Sequence, residues 1–180
     1  MSERSDIAYI LASADELEGY LLAEPLFWNL TPPRGYTLSA DATQLTPGGL
    51  MLAERKTGPI TNELSGAIDT VWAIRAKWAS HWIKKAEKEF EYRLNQWQKY
   101  VTQFSQRTPS DYVTQIRGRT ILDLLLQNRI RNKANKLEAI ASLDSLIADK
   151  LINSDFIWSD TKEIYFPKDE FGYLYKKVAQ

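Results

Sequence analysis

Between Thr61 and Arg107 apolar residues recur at a helical period for forty-seven residues, with no proline and a single glycine, Gly66. Placed at about 100° per residue, Leu64, Ile68, Val71, Trp72, Trp78, Trp82, Ala86, Phe90, Leu94, Trp97, Tyr100 and Phe104 share an arc of roughly 160°. Lys77, Lys84, Lys88, Glu91, Asn95 and Lys99 fall on the opposite side. The pattern predicts one very long central helix. It would run to roughly 70 Å, whereas a compact chain of this length has a radius of gyration near ~16 Å. Such a rod must bend, with Gly66 or Ser80 as natural places for a kink, or project, or pack along another chain. Its apolar face is too broad for a two-stranded seam and suits a multi-helix core.

Before the rod, a stripe of Ile7, Ile10, Leu11, Ala14, Leu17, Leu21 and Leu22 predicts a helix to about Ala23, with Ser5 as its cap. Ser13 and Glu16 have capping-box spacing, which allows two shorter pieces instead. Leu26 to Leu30 lies between prolines and reads as extended, and 31–45 reads as a loop. Thr46-Pro47 opens a short helix that Gly58 closes. After the rod, Thr108-Pro109 starts a helix to about Arg131, and a further helix runs from about Lys133 to Ile152. Phe156-Ile157-Trp158 and Ile164-Tyr165-Phe166 flank a polar turn and predict a small β-hairpin over 155–166, followed by a short helix from about Pro167 to Lys177.

The expected fold is therefore mainly α, a multi-helix bundle around the long central helix (61–107), in a single domain spanning 1–180. Helices and loop of 1–60 pack on the rod, a helical pair fills 108–152, and the hairpin and short helix occupy 153–180. Composition narrows the class. Cysteine is absent, no apolar run approaches eighteen residues, and no leader pattern is visible, so a cytoplasmic protein without a membrane segment is expected.

Charge adds a division that the net value of zero hides. Residues 1–60 hold four Lys/Arg against eight Asp/Glu, 61–136 hold fourteen against seven, and 137–180 hold five against eight. Either the acidic ends cancel the basic middle, or a basic surface stays open for an anionic partner.

Catalytic chemistry finds no support. The single histidine, His81, falls on the polar side of the rod, and no Gly-x-Ser-x-Gly elbow accompanies it. Glu87, Glu89 and Glu91 alternate with lysines as helix-surface pairs do. Gly48-Gly49 at a helix start can approach a phosphate, but no lysine follows at P-loop spacing, and the Rossmann glycine fingerprint is missing. No catalytic residue, metal ligand or cofactor site is assigned, and the chain is expected not to be an enzyme.

Two binding readings remain. The leading one is a non-catalytic interaction or assembly protein, with a protein partner or a second copy of the chain on the aromatic rod. Its contact candidates are Arg75, Trp78, Trp82, Arg93 and Trp97, since Arg and Trp are enriched at interface centres. The bland account of the two arginines is that they lie over tryptophans or pair with acids from the chain ends. The alternative reading is a nucleic-acid-binding accessory protein using the basic middle (about 75–136), with Arg117, Arg119, Arg129, Arg131 and Lys133 as candidate phosphate contacts.

Overall fold

The computed structural model describes residues 3–40, 42–59, 62–106, 108–159 and 161–179. Among them lie six α-helices: α1 (Glu3–Leu22), α2 (Pro47–Thr57), α3 (Asn62–Lys77), α4 (Ala79–Thr102), α5 (Pro109–Leu125) and α6 (Lys133–Ser145). Two antiparallel strand pairs complete the regular structure, β1 (Trp28–Asn29) with β2 (Gln44–Leu45) and β3 (Leu151–Asn153) with β4 (Lys176–Val178). The chain forms two compact units, Met1–Glu89 and Phe90–Gln180. No helix among the described residues is long and apolar enough to cross a membrane.

The single long helix is the first correction. The stretch is divided into α3 and α4 at Trp78, and the longest helix has 24 residues; Thr61 and Arg107, the expected ends, lie outside the described residues. Little hydrogen bonding is lost at the break, because Trp78 N–H still reaches Ile74 O at 2.9 Å and Trp82 N–H reaches Trp78 O at 3.0 Å. What holds Trp78 is its indole, whose Nε1 donates to Glu18 of α1 at 2.7 Å. The kink thus falls two residues before Ser80, while Gly66 sits inside α3 with open space around it. The apolar stripe itself runs as expected: Leu64, Ile68, Val71, Trp82, Ala86, Phe90, Trp97, Tyr100 and Phe104 are all buried. Trp72 departs from it and stands half exposed.

In the first unit α1 packs against both α2 and α3. Tyr9, Ile10, Leu17, Tyr20 and Leu21 meet Leu45, Leu50, Leu64, Ile68, Val71 and Trp82 in one core. The first helix is one piece. Ser5 is not its cap but accepts a hydrogen bond from Ser39 N–H at 2.8 Å. Glu16, in place of a capping box, fastens the extended stretch by accepting from Trp28 Nε1 at 2.6 Å and from Thr31 N–H at 2.8 Å.

The start of α2 explains its glycines. Thr46 caps it, with Oγ1 accepting from Gly49 N–H at 3.0 Å. A Cβ on Gly49 would lie 2.6 Å from the Tyr9 hydroxyl and 2.9 Å from Thr46 Oγ1, so only glycine fits. The anion at this helix N-terminus belongs to the chain. Fully buried Glu89 accepts from Thr46 Oγ1 at 2.7 Å and from Gly48 N–H at 2.6 Å, occupying the place that the sequence leaves for a phosphate. The other end of α1 is closed by a cation: buried Lys85 donates to Ala23 O at 2.8 Å and to Pro25 O, and lies 4.4 Å from the centre of the Tyr20 ring. Burial, then Lys88 and Lys84, lowers the pKa of this ammonium from its usual value.

In the second unit Asp111 receives the Thr108 N–H at 2.8 Å at the head of α5. This helix stops at Leu125 and α6 at Ser145, both short of the expected Arg131 and Ile152. The hairpin over 155–166 is a second correction. Neither Phe156-Ile157-Trp158 nor Ile164-Tyr165-Phe166 is a strand; the pairing is between 151–153 and 176–178, with Ile152 opposite Lys177. Aromatic stacking takes those side chains instead. Phe156, Trp158, Phe166, Phe171 and Tyr175 form a cluster with ring centres 5.2–6.2 Å apart. The short helix expected over 167–177 reduces to a 3-10 turn, Gly172–Tyr175, which leads into β4.

Candidate functional site

The second unit carries a cleft of about 450 Å³, within the size range of ligand sites. Its walls are Trp97 of α4, Tyr112 of α5, Ala141, Asp144 and Ser145 of α6, Ile147, Ala148 and Leu151 beyond it, and Gly172, Tyr173 and Lys176 near the chain end. Three α-helices and the segments after α6 contribute, and Arg119 of α5 contacts two of the lining residues, Asp144 and Tyr173. Arg119 is buried, with Nε 3.0 Å and Nη2 2.9 Å from Asp144 Oδ2, and Nη1 2.7 Å from Asp123 Oδ1. Trp97 Nε1 donates to Asp144 Oδ1 at 2.9 Å, and the Tyr173 hydroxyl donates to Asp123 Oδ2 at 2.7 Å. The guanidinium also lies 4.4 Å from the centre of the Tyr173 ring. One cation thus joins two carboxylates, one indole and one phenol.

Burial opposes the charge of Arg119, but Asp123 first, then Tyr173 and Asp144, outweigh it and raise its pKa above the ordinary arginine value. Burial, followed by Asp123, pushes Tyr173 well above the usual phenol range; burial, followed by Tyr100 and Asp144, does the same to Tyr112. Both tyrosines are therefore neutral donors near neutral pH, Tyr112 to the carbonyl of Tyr173 at 2.8 Å. A phenol whose pKa is raised by folding stays protonated in the native state while its unfolded counterpart ionises near pH ~10. The unfolded state then binds fewer protons, so stability falls as pH rises through that value. Urea midpoints measured from pH 8 to 11 are expected to drop, with a smaller drop in Tyr173→Phe.

The candidates picked from the sequence separate into three groups. Arg75, Trp78 and Trp82 belong to the first unit, where Arg75 lies 4.1 Å over the Trp82 ring and 3.3 Å from Glu54, and Trp82 is buried. This is the arrangement of an arginine across a tryptophan and beside an acid from the N-terminal sixty residues. Lys77, over the Trp78 ring and 2.6 Å from Glu18, adds a second such pairing. Burial raises the pKa of Glu54, with Arg75 opposing.

Trp97 and Arg119, the second group, line or underlie the cleft, the arginine with its charge spent on Asp123 and Asp144. Arg93 is half-buried near Gly118. The third group is outward. Arg129, Arg131 and Lys133 are exposed around Asn132, whose φ of 53° turns the chain into α6, and Arg117 is partly exposed on α5. Lys136 adds nothing to that patch, being bound to Glu91 at 2.5 Å.

The chain matches no family model, no curated protein and no solved structure. Asp144, Tyr112, Tyr173 and Lys176 were not identifiable from sequence as cleft residues. Only Arg119 with Asp123, four apart on α5, left a signal, and that spacing is also ordinary for a surface pair. Among the described residues no three His, Cys, Asp or Glu side chains converge as metal ligands.

Proposed function

We propose that the protein is a non-catalytic binding protein that engages a protein partner through the cleft of its second unit. The observation that carries this reading is the cleft itself: an aromatic and apolar concavity of ligand size whose polar floor is already internally bonded. Trp97, an interface candidate from its place on the aromatic stripe, stands in its wall. The residues there suit holding better than chemistry. Arg119 is locked between two acids, both tyrosines are neutral, and the exposed His81 belongs to the other unit.

The test is a native pull-down comparing the wild type with Ala141→Phe, which fills the cleft from an exposed helix position. A partner retained by the wild type and lost with Ala141→Phe is the expected result. Equal retention by both, or no partner at all, overturns the reading.

The exposed turn of Arg129, Arg131 and Lys133 favours nucleic acid as a second reading. It requires an affinity for duplex or single-stranded DNA or RNA that falls with salt and is lost when the three are changed to glutamate. Undetectable binding at low salt, or binding indifferent to those changes, removes it.

A further inference from the structure

Of the tryptophans on α3 and α4, Trp82 and Trp97 are buried and Trp78 is half-buried, whereas Trp72 is 52% exposed. Its indole N–H does not face water but bonds the carboxylate of Glu54 on α2. The one polar atom of the ring system is therefore engaged within the unit, and the exposed remainder is carbon held in a fixed orientation. A rigid, desolvated tryptophan edge is the commonest kind of anchor at a protein interface.

The helix face around Trp72 is low and carries both signs of charge. At about 100° per residue Trp72, Ala76, Asp69 and Ala73 fall within one arc of roughly 100°, and all four are exposed. Lys77 borders the arc, its side chain 62% exposed. Asp69 has no ion pair among the described residues. The acid and the base thus stand four residues to either side of Ala73, an arrangement that is its own complement. An antiparallel two-fold axis through Ala73 sets Asp69 opposite the partner's Lys77 and Lys77 opposite the partner's Asp69, and lays Trp72 on the low strip of the facing helix. A face of mixed sign selects neither an anionic nor a cationic polymer, but it does select itself.

We infer that the outer face of α3 binds the same face of a second copy of this chain, with Trp72 as its anchor. The contact lies in the first unit and is independent of the cleft. A helix of 16 residues is about 24 Å long. One such pair buries less than the roughly 800 Å² per partner of a standard interface, so the dimer is weak, dissociating in the range of ~10–100 µM.

Sedimentation velocity of the full chain between about 5 and 500 µM reads this equilibrium. Conversion from monomer to dimer across that range is expected. Trp72→Ala, and Ala73→Glu, which brings two carboxylates together on the axis, are each expected to weaken the dimer at least about tenfold. The urea midpoint of Ala73→Glu should stay near that of the wild type, because the position is exposed. Asp69→Lys alone should weaken association, and adding Lys77→Asp should restore it, as the two-fold pairing requires. Ala141→Phe, in the cleft, should leave it unchanged. A chain that stays monomeric throughout, a dimer indifferent to Trp72→Ala and Ala73→Glu, or one that the double exchange fails to restore overturns the inference, and each of these outcomes leaves the reading of the cleft untouched.

Discussion

Glu89→Ala is expected to cost about 3–5 kcal/mol, more than any other single substitution considered, although the residue lies on a helix that the sequence reads as a lysine-rich surface. The carboxylate is fully buried and is the acceptor for both Thr46 Oγ1 and Gly48 N–H. Truncation strands those two donors, removes the negative charge that favours the N-terminus of α2, and leaves a cavity beneath the cap. Glu89→Gln should cost roughly half as much, because one oxygen still accepts while the amide NH₂ meets a donor. Urea unfolding followed by near-UV circular dichroism measures both. A loss below about 1 kcal/mol for the alanine variant contradicts the assignment of Glu89 as the internal anion of α2.

The second large effect concerns Arg119. Removing one member of a buried ion pair generally costs about 3–5 kcal/mol. Here the acids are not sealed: the side chains of Asp123 and Asp144 are 23% and 34% exposed, so water can reach them and the expected loss for Arg119→Met is about 2–4 kcal/mol. The cause is specific. Two carboxylates would face each other without a cation, so the double variant Arg119→Met with Asp144→Asn should recover a substantial part of the loss. If the double variant is as unstable as the sum of its parts, the cluster is not a coupled unit. Arg119→Met should also shift the Trp97 indole resonance, because Asp144 would lose the group that holds it against Trp97.

How much of this was legible in the sequence follows from the range of each interaction. Local signals were readable: Thr46-Pro47 and Gly58 bound α2, Thr108-Pro109 opens α5, and the apolar stripe names Trp82, Phe90, Trp97 and Tyr100 as buried. Each rests on backbone rules acting over a few residues. A bend near Ser80 was one of the two places the sequence offered, but nothing local singled out Trp78, whose indole bonds Glu18, sixty residues earlier. Glu89 read as one of three helix-surface carboxylates beside lysines, because its partners lie at the head of α2, more than forty residues away. The hairpin failed for a related reason: β-prone aromatics at 156–158 and 164–166 found one another's rings, and the strand pairing went to less distinctive residues at 151–153 and 176–178.

The cleft is the extreme case. Arg119 was singled out as a candidate phosphate contact from its neighbourhood of basic residues. Its acids are one turn ahead on its own helix and on the next helix, 25 residues on, and Tyr173 closes the set from the chain end. A basic run in sequence therefore became one internally neutralised arginine and an outward turn of Arg129, Arg131 and Lys133. Charge counts along a chain carry no information on which of those two fates each residue meets.

The central claim, that the cleft of the second unit is the binding surface, is tested most directly by mapping the footprint of the captured partner on the isotopically labelled full chain by NMR. Shifts concentrated on Ala141, Ser145, Ala148, Lys176 and the indole N–H of Trp97 are expected. Shifts confined to exposed Trp72 and α3, or to the turn from Arg129 to Lys133, with the cleft resonances unmoved, would contradict it.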